Sequence, residues 1–289
     1  MTVNLLIIGA GRSGTTSLSE YLKQHPEVCF STIKEIPYFS IEDIYRRGEN
    51  YYHSFFRDIQ KPVIASSDTY LLIDHDAPLR IKQYNHAMKF IIMLREPVER
   101  AYSSYIYAIN NGHQNKKISF ARSFELEPEN INTKNLVTQN NLGHFYSGLY
   151  HKHITTWMRH FPKENFLLLK TKDLKNNTTR TLKQVSTFLD ISDFNDPSEI
   201  HINQAAGVQS MFLHRLFIDR DNLMRRFFRS ITPDFIKQRI FTSGIIEKIK
   251  KINTKKKVYQ VLNEEDRKKV MPYFTEDLEK LEKEFHITF

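Results

Sequence analysis

A glycine-rich segment close to the N-terminus has the residue types that bind phosphate groups. Residues 9–17, called here the anion loop, read Gly-Ala-Gly-Arg-Ser-Gly-Thr-Thr-Ser and follow the apolar run 4–8. The outer glycines are five residues apart, which is the spacing of a nucleotide-phosphate loop. Glycines let the backbone close around an anion, and the N–H groups at the start of the following helix can donate to it.

The side chains of the anion loop differ from those of a nucleotide hydrolase. Such an enzyme uses a lysine after the last glycine to reach the β- and γ-phosphates of a nucleoside triphosphate. Thr15 occupies that position, and the positive side chain lies earlier, at Arg12. A guanidinium there can donate two hydrogen bonds to one anion. The pattern therefore predicts an anion site that does not depend on that lysine.

Strand-like and helical patterns alternate along the first 190 residues. The strand-like runs cover 4–8, 89–94 and 165–170, and the helical patterns cover 16–24, 97–107 and 148–159. This alternation predicts an α/β fold in which a parallel sheet is flanked by helices, with the nucleotide-phosphate-type loop after the first strand. Ligands of such sheets bind beyond the carboxyl ends of the strands. The anion loop and the residues after Leu94 should therefore share one edge.

A second candidate anion site follows the run 89–94. Arg95 ends this run, and Ser103 lies eight residues later in the predicted helix. An arginine fork and a serine hydroxyl can donate to one anion together. The structural alternative pairs Arg95 with Glu96 or Glu99 and leaves Ser103 facing solvent or its own helix backbone.

These segments resemble motifs of the sulfotransferases that use 3′-phosphoadenosine-5′-phosphosulfate. Residues 8–18 resemble the 5′-phosphosulfate loop of that family, although many members have lysine in place of Arg12. Residues 34–39, Lys-Glu-Ile-Pro-Tyr-Phe, are similar to a Lys-Glu-x-x-x-Phe stretch of the heparan-type and bacterial carbohydrate members. Residues 94–103 resemble the 3′-phosphate element, and 148–157 and 182–189 resemble two helices of the family.

The resemblance implies a single α/β domain, a sulfonate donor and a set of site residues. It implies that Glu35 is the catalytic base and that Arg12, loop N–H groups and Lys34 stabilise the leaving 5′-phosphate, in chemistry that requires no metal. The implied donor-binding residues are Arg12, Ser13, Gly14, Thr15, Thr16, Ser17, Arg95 and Ser103. His75 is the alternative base, because the cytosolic branch of the family uses a histidine; it is otherwise a polar loop residue.

Two segments depart from the family pattern. Residues 65–70, Ala-Ser-Ser-Asp-Thr-Tyr, lack the lysine that heparan-type members carry there, and residues 203–207, Asn-Gln-Ala-Ala-Gly, lack the late lysine. A catalytic lysine from the first segment is therefore absent.

Composition and charge limit the possible binding partners and the cellular compartment. The chain has 289 residues, a net charge of +9 and a single cysteine, Cys29. The charge predicts anionic partners, and the lone cysteine excludes an internal disulfide and fits a reducing compartment. The first apolar run is too short for a signal peptide or a membrane span. The expected location is the cytoplasm, with the inner face of the membrane as the alternative.

The domain organisation is predicted as one sulfotransferase domain over 1–289. The polar segment near 110–143 is expected to be an insertion on the acceptor side, and residues 211–289 are expected to form a basic helical extension. The expected acceptor is a carbohydrate or a glycolipid. The basic helices are also compatible with a peripheral contact with an anionic membrane.

Two other classes compete with this interpretation. One is a magnesium-dependent phosphoryl-transfer enzyme, against which Thr15 argues. The other is a nucleic-acid binding protein that uses the anion loop to grip phosphate. The sequence has no helix-turn-helix, zinc-finger or aromatic strand signature, so no nucleic acid is expected as a partner.

Overall fold

A parallel sheet forms the centre of the described structure. The computed structural model describes residues 1–132, 135–195, 207–208, 254–255 and 261–289. The strands of this sheet are β1 (Leu5–Gly9), β2 (Val28–Glu35), β3 (Val63–Ser67), β4 (Lys89–Leu94) and β5 (Phe166–Lys170). They lie in the order β2-β3-β1-β4-β5, and every pairing between them is parallel. The predicted α/β fold is confirmed.

Helices follow the strands and cover both faces of the sheet. In chain order they are α1 (Thr15–Gln24), α2 (Glu42–Tyr45), α3 (Glu49–His53), α4 (Ala77–Tyr84), α5 (Pro97–Asn110), α6 (Phe120–Ile131), α7 (Leu136–Leu142), α8 (Tyr150–Met158), α9 (Thr171–Asn176), α10 (Thr178–Leu189), α11 (Glu264–Val270) and α12 (Thr275–Phe285). One core layer joins Leu5 and Ile7 of β1 to Leu18 of α1 and Val185 of α10. The opposite layer joins β1 and β4 to α8 and α12.

Burial explains why the central strands appear as unbroken apolar runs. All five residues of β1 are buried, as are Phe90–Leu94 of β4, because alternate side chains of each strand enter opposite core layers. Trp157 of α8 is fully buried, and its indole N–H donates to the Leu72 carbonyl at 3.2 Å. The aromatic spacing of α8 therefore marks a core face.

The segment near 110–143, predicted as an insertion, contains α6 and α7. The Ser119 hydroxyl accepts from Arg122 N at 3.3 Å and caps α6. The Asn135 side chain accepts from Thr138 N at 3.1 Å and caps α7. These caps satisfy N–H groups that the first helical turn leaves without a partner. Whether this segment borders the acceptor stays a prediction.

The chain divides into two compact units. The first comprises Met1–Tyr105, Ser119–Ile202 and Leu262–Phe289, and it contains the parallel sheet. The second comprises Ile106–Ile118 and Asn203–Val261, in which β6 (Gly207–Val208) pairs antiparallel with β7 (Thr254–Lys255). Residues 203–206, and the predicted basic extension between 211 and 260 apart from β7, lie outside the described residues. The single-domain organisation stays a prediction.

Candidate active site

The anion loop connects β1 to α1 through backbone conformations that favour glycine. Gly9 has φ +148°, and a Cβ atom there would lie 2.8 Å from Leu72 Cβ. Gly14 has φ +87° and precedes the first residue of α1. The Ala10 N–H donates to the Met93 carbonyl at 2.8 Å, which fastens the loop to β4. Residues 15–17 of the loop form the first turn of α1, so the positive end of the helix dipole lies within the loop, an arrangement that favours an anion.

Thr171 holds the anion loop against the ends of two neighbouring strands. Its Oγ1 lies 2.6 Å from the Ser13 carbonyl oxygen and 3.0 Å from the Leu94 carbonyl oxygen. Thr171 begins α9 immediately after β5, so one hydroxyl links the loop to the carboxyl ends of β4 and β5. This contact places the loop at the edge where parallel sheets bind ligands.

The predicted donor-binding side chains of the loop differ in exposure. Ser13 and Thr15 are buried, Gly14 and Ser17 are half-buried, and Thr16 is exposed. Arg12 Nε donates to Ser103 Oγ at 3.3 Å, across 91 residues of chain. The structure thus brings the loop and the second candidate anion site together.

Arg95 makes the local ion pair that was the structural alternative. Its Nε and Nη2 lie 3.2 and 3.1 Å from Glu99 Oε2, and about a third of its side chain is exposed. The Tyr150 hydroxyl donates to the Arg95 carbonyl at 2.7 Å and fixes the backbone at the end of β4. Arg95 therefore lies at the end of β4, as predicted, and its guanidinium is paired with the carboxylate of Glu99.

Glu35 ends β2 and is held on both of its carboxylate oxygens. Lys34 Nζ lies 2.7 Å from Oε1, while Thr69 N and Thr69 Oγ1 donate to Oε2 at 2.9 and 3.3 Å. The Glu35 side chain is 30% exposed, so a proton-transfer partner can reach it. A Cβ atom at Gly11 would lie 3.9 Å from Thr69 Cβ. Thr69 therefore lies between Glu35 and the anion loop.

Asp68 is a second carboxylate beside Glu35 that the sequence did not single out. It is buried, its Oδ2 accepts from Ser40 Oγ at 2.5 Å, and its Oδ1 accepts from Tyr70 N at 3.1 Å. Burial, and then the nearby charge of Glu35, raise the pKa of Asp68 to about 8. The available sequence signal was an acidic residue directly after β3, which ends in two serines.

Arg100 lies buried beneath the anion loop and was also missed. Only 2% of it is exposed. Its Nη1 donates to the Gly11 carbonyl at 3.5 Å, and its Nη2 donates to the His144 carbonyl. Burial lowers the pKa of Arg100, while the carboxylate of Glu127 favours its charged form. The guanidinium thus joins the anion loop to the turn that precedes α8.

His75 occupies an exposed loop. Its Nε2 lies 2.8 Å from the Tyr146 hydroxyl, whereas Glu35 is held by Lys34 and Thr69. Within the described ranges, no group of three or more His, Cys, Asp or Glu side chains is arranged to hold a metal ion. Nor does that part of the chain contain a helix with the length and apolar character needed to cross a membrane.

The fold and this edge define an α/β protein in which a glycine-rich loop lies at the ends of the strands, beside a carboxylate and an arginine–serine contact. The sulfotransferase domain model of protein families matches residues 3–265 of the chain. The chain therefore belongs to the sulfotransferase family, and the predicted membership in this family of transferase enzymes is confirmed.

Two curated relatives are named as heparan sulfate sulfotransferases, and both are longer than this chain. Mouse heparan sulfate glucosamine 3-O-sulfotransferase 5 is 26% identical over 217 residues, which cover 73% of this chain and 60% of the mouse protein. The bifunctional heparan sulfate N-deacetylase/N-sulfotransferase 1 of Caenorhabditis elegans is 25% identical, over 73% of this chain and 24% of that protein. The chain thus spans three-fifths or less of these two relatives.

A solved structure shares the fold. The sulfotransferase from Alicyclobacillus acidocaldarius superimposes with a TM-score of 0.67 and 18% identity, covering 100% of this chain and 98% of that one. At this identity the likeness concerns the fold alone.

Proposed function

We propose that this chain transfers a sulfonate group from 3′-phosphoadenosine-5′-phosphosulfate to a hydroxyl or amine of a carbohydrate acceptor. The observation that carries the proposal is the placement of Glu35 beside the anion loop, with Thr69 between them. A base next to an anion loop is what sulfonate transfer needs, because the acceptor loses a proton while negative charge develops on the leaving phosphate.

The proposed reaction assigns three roles to residues of the site. The acceptor oxygen or nitrogen forms a bond to sulfur, and the bond from sulfur to the 5′-phosphate oxygen breaks. Glu35 takes the acceptor proton, and 3′,5′-bisphosphoadenosine leaves. Arg12, Lys34 and the N–H groups at the start of α1 stabilise the charge on the leaving 5′-phosphate. Arg95 and Ser103 bind the 3′-phosphate.

The acceptor is proposed from the relatives. Their names refer to heparan sulfate, which supports a carbohydrate. A glycolipid headgroup offers the same hydroxyl chemistry and belongs to the same proposal. A cytoplasmic location, and contact of the basic C-terminal extension 211–289 with a membrane, are likewise proposals.

Substitution of Glu35 tests the base assignment. Glu35→Gln should bind 3′,5′-bisphosphoadenosine like the parent protein and lose sulfonate transfer to an oligosaccharide panel by about 100-fold or more. His75→Asn should keep most activity, and Glu49→Gln, an exposed carboxylate of α3, serves as the matched control. Near-normal turnover in Glu35→Gln would refute the assignment, and a large loss confined to His75→Asn would transfer the role to the histidine.

Nucleotide binding tests the donor. We expect thermal stabilisation by 3′,5′-bisphosphoadenosine without magnesium that exceeds stabilisation by adenosine 5′-monophosphate. Arg95→Ala should weaken binding of the bisphosphate much more than binding of the monophosphate. Stabilisation by ATP plus magnesium, without stabilisation by the bisphosphate, would instead favour phosphoryl transfer. Salt-sensitive stabilisation by an oligonucleotide would favour nucleic-acid binding.

A further inference from the structure

An arginine near the C-terminus contacts Glu99, the acidic residue that holds Arg95, and also contacts Glu96. Arg267 belongs to α11, whose first turn is capped by Asn263, the side chain of which accepts from Asp266 N at 2.6 Å. Arg267 Nη1 lies 3.2 Å from Glu96 Oε2, and Arg267 Nη2 lies 3.8 Å from Glu99 Oε1. The Arg267 side chain is 31% exposed. A residue close to the C-terminus therefore reaches the first turn of α5.

The carboxylate of Glu99 lies between two guanidinium groups. Its Oε2 contacts Arg95 Nη2 at 3.1 Å, and its Oε1 faces Arg267. Glu96 has a separate task, because its side chain accepts from Val98 N at 3.2 Å and from Glu99 N at 2.8 Å at the start of α5. Glu96 thus fixes the start of the helix and anchors Arg267 beside Glu99.

The helix geometry places Glu99 on the path of the proposed 3′-phosphate. Residues four apart share one face of an α-helix, so Glu99 and Ser103 are neighbours on the surface of α5. A phosphate that contacts both Arg95 and Ser103 therefore passes the carboxylate of Glu99. The negative charges of the phosphate and of the Glu99 carboxylate repel each other there. The carboxylate also competes with the phosphate for the Arg95 guanidinium.

We propose that Arg267 is a positioning residue for the 3′-phosphate site. Arg267 acts by forming an ion pair with the carboxylate of Glu99. With Glu99 paired to Arg267, the Arg95 guanidinium is available to the phosphate and the repulsion is reduced. This inference rests on the proposed function, because it assumes a ligand with a phosphate at Arg95 and Ser103. It concerns binding of the nucleotide and requires no change in the chemical step.

The test compares nucleotide affinities by calorimetry in four proteins. Arg267→Gln should weaken binding of 3′,5′-bisphosphoadenosine by about tenfold, because Glu99 then competes for the Arg95 guanidinium and repels the phosphate. Adenosine 5′-monophosphate, which lacks the 3′-phosphate, should bind as before. Glu99→Gln should bind the bisphosphate at least as tightly as the parent protein. In the double variant with Glu99→Gln, Arg267→Gln should change the affinity by less than about twofold.

Two controls separate positioning from charge and folding. Lys269→Gln removes one positive charge from the same helix, where Lys269 pairs with Glu265 at 2.6 Å, and should leave both affinities unchanged. Arg267→Lys keeps the charge and should retain most of the binding. Thermal melts of each variant establish that the proteins tested are folded.

The outcomes distinguish this inference from the proposed function. A tenfold loss that persists in the Glu99→Gln background would mean that Arg267 contacts the ligand directly, which overturns the positioning role. Equal losses for both nucleotides, or no loss, would overturn it as well. If the parent protein bound the bisphosphate no better than the monophosphate, the assignment of the 3′-phosphate site itself would fail.

Discussion

The buried carboxylate of Asp68 should make the stability of this protein fall as the pH rises. The pKa of Asp68 is raised from 3.8 to about 8 by burial and by the charge of Glu35. Between these two pH values the folded protein holds a proton that the unfolded chain has released. Because the unfolded state then binds fewer protons, the free energy of unfolding decreases with increasing pH in that window.

The magnitude follows from the size of the shift. One pKa unit corresponds to about 1.4 kcal/mol, so the full shift sets a ceiling of about 6 kcal/mol on the loss of stability. Part of the shift comes from Glu35, whose side chain is 30% exposed and whose field is screened by water. We therefore expect the contribution of Asp68 to amount to about 3 kcal/mol between pH 5 and pH 8.

Asp68→Asn isolates this contribution because an amide imitates the protonated acid. Its oxygen can accept from Tyr70 N, as Oδ1 does, and its nitrogen can donate to Ser40 Oγ, which lies 2.5 Å from Oδ2. Urea unfolding at several pH values should give similar stabilities for both proteins at pH 5 and a more stable variant at pH 8. Asp76→Asn, at an exposed position of the next loop, is the control and should change stability by less than about 0.5 kcal/mol. Parallel pH profiles for the parent and Asp68→Asn would refute the reasoning.

Three further substitutions, and a fourth that serves as a comparison, test the residues that support the site. Gly9→Ala should lower the free energy of unfolding by about 2–3 kcal/mol, because its Cβ would lie 2.8 Å from Leu72 Cβ at φ +148°. Gly48→Ala has φ +79° and open space around it, so a smaller loss of about 1 kcal/mol in urea unfolding separates backbone strain from the clash. Thr171→Val keeps the shape and removes a hydroxyl near two carbonyls, which should cost about 1 kcal/mol in the same assay and weaken binding of 3′,5′-bisphosphoadenosine. Glu127→Gln should lower the free energy of unfolding by about 2 kcal/mol, because each carboxylate oxygen accepts from one N–H group and the amide keeps only one acceptor oxygen. One buried N–H group then loses its partner, and unchanged stability would contradict this.

The sheet was predictable where burial imposes a continuous pattern on the sequence. The runs 4–8 and 89–94 correspond to β1 and β4, whose side chains enter core layers on both faces. β2 and β3 give weaker signals, because β2 lies at the edge of the sheet and β3 ends in two serines. Ser66 is tolerated in the core because the Tyr52 hydroxyl lies 2.6 Å from it. That pairing depends on the tertiary structure and leaves no local pattern.

The candidate site was predictable in its residue types and only partly in its pairings. The glycine spacing indicated the anion loop, and the spacing of Arg95 and Ser103 indicated a second anion contact. Which donor meets which acceptor depends on packing: Arg12 contacts Ser103, while Arg95 contacts Glu99 four residues away. Asp68 escaped notice because an ionisable residue becomes informative only once its burial is known.

The helices of 119–142 are connected to the anion loop through a chain of buried hydrogen bonds. Glu127 of α6 is buried and accepts from Phe145 N and Tyr146 N at 2.7 and 2.5 Å, which fixes the turn before α8. The carbonyl of His144 in this turn accepts from Arg100, whose guanidinium also donates to the Gly11 carbonyl. Buried groups with two partners transmit displacement because the interior is closely packed. We therefore expect a displacement of α6 to reach the backbone of the anion loop through Glu127, the turn before α8 and Arg100.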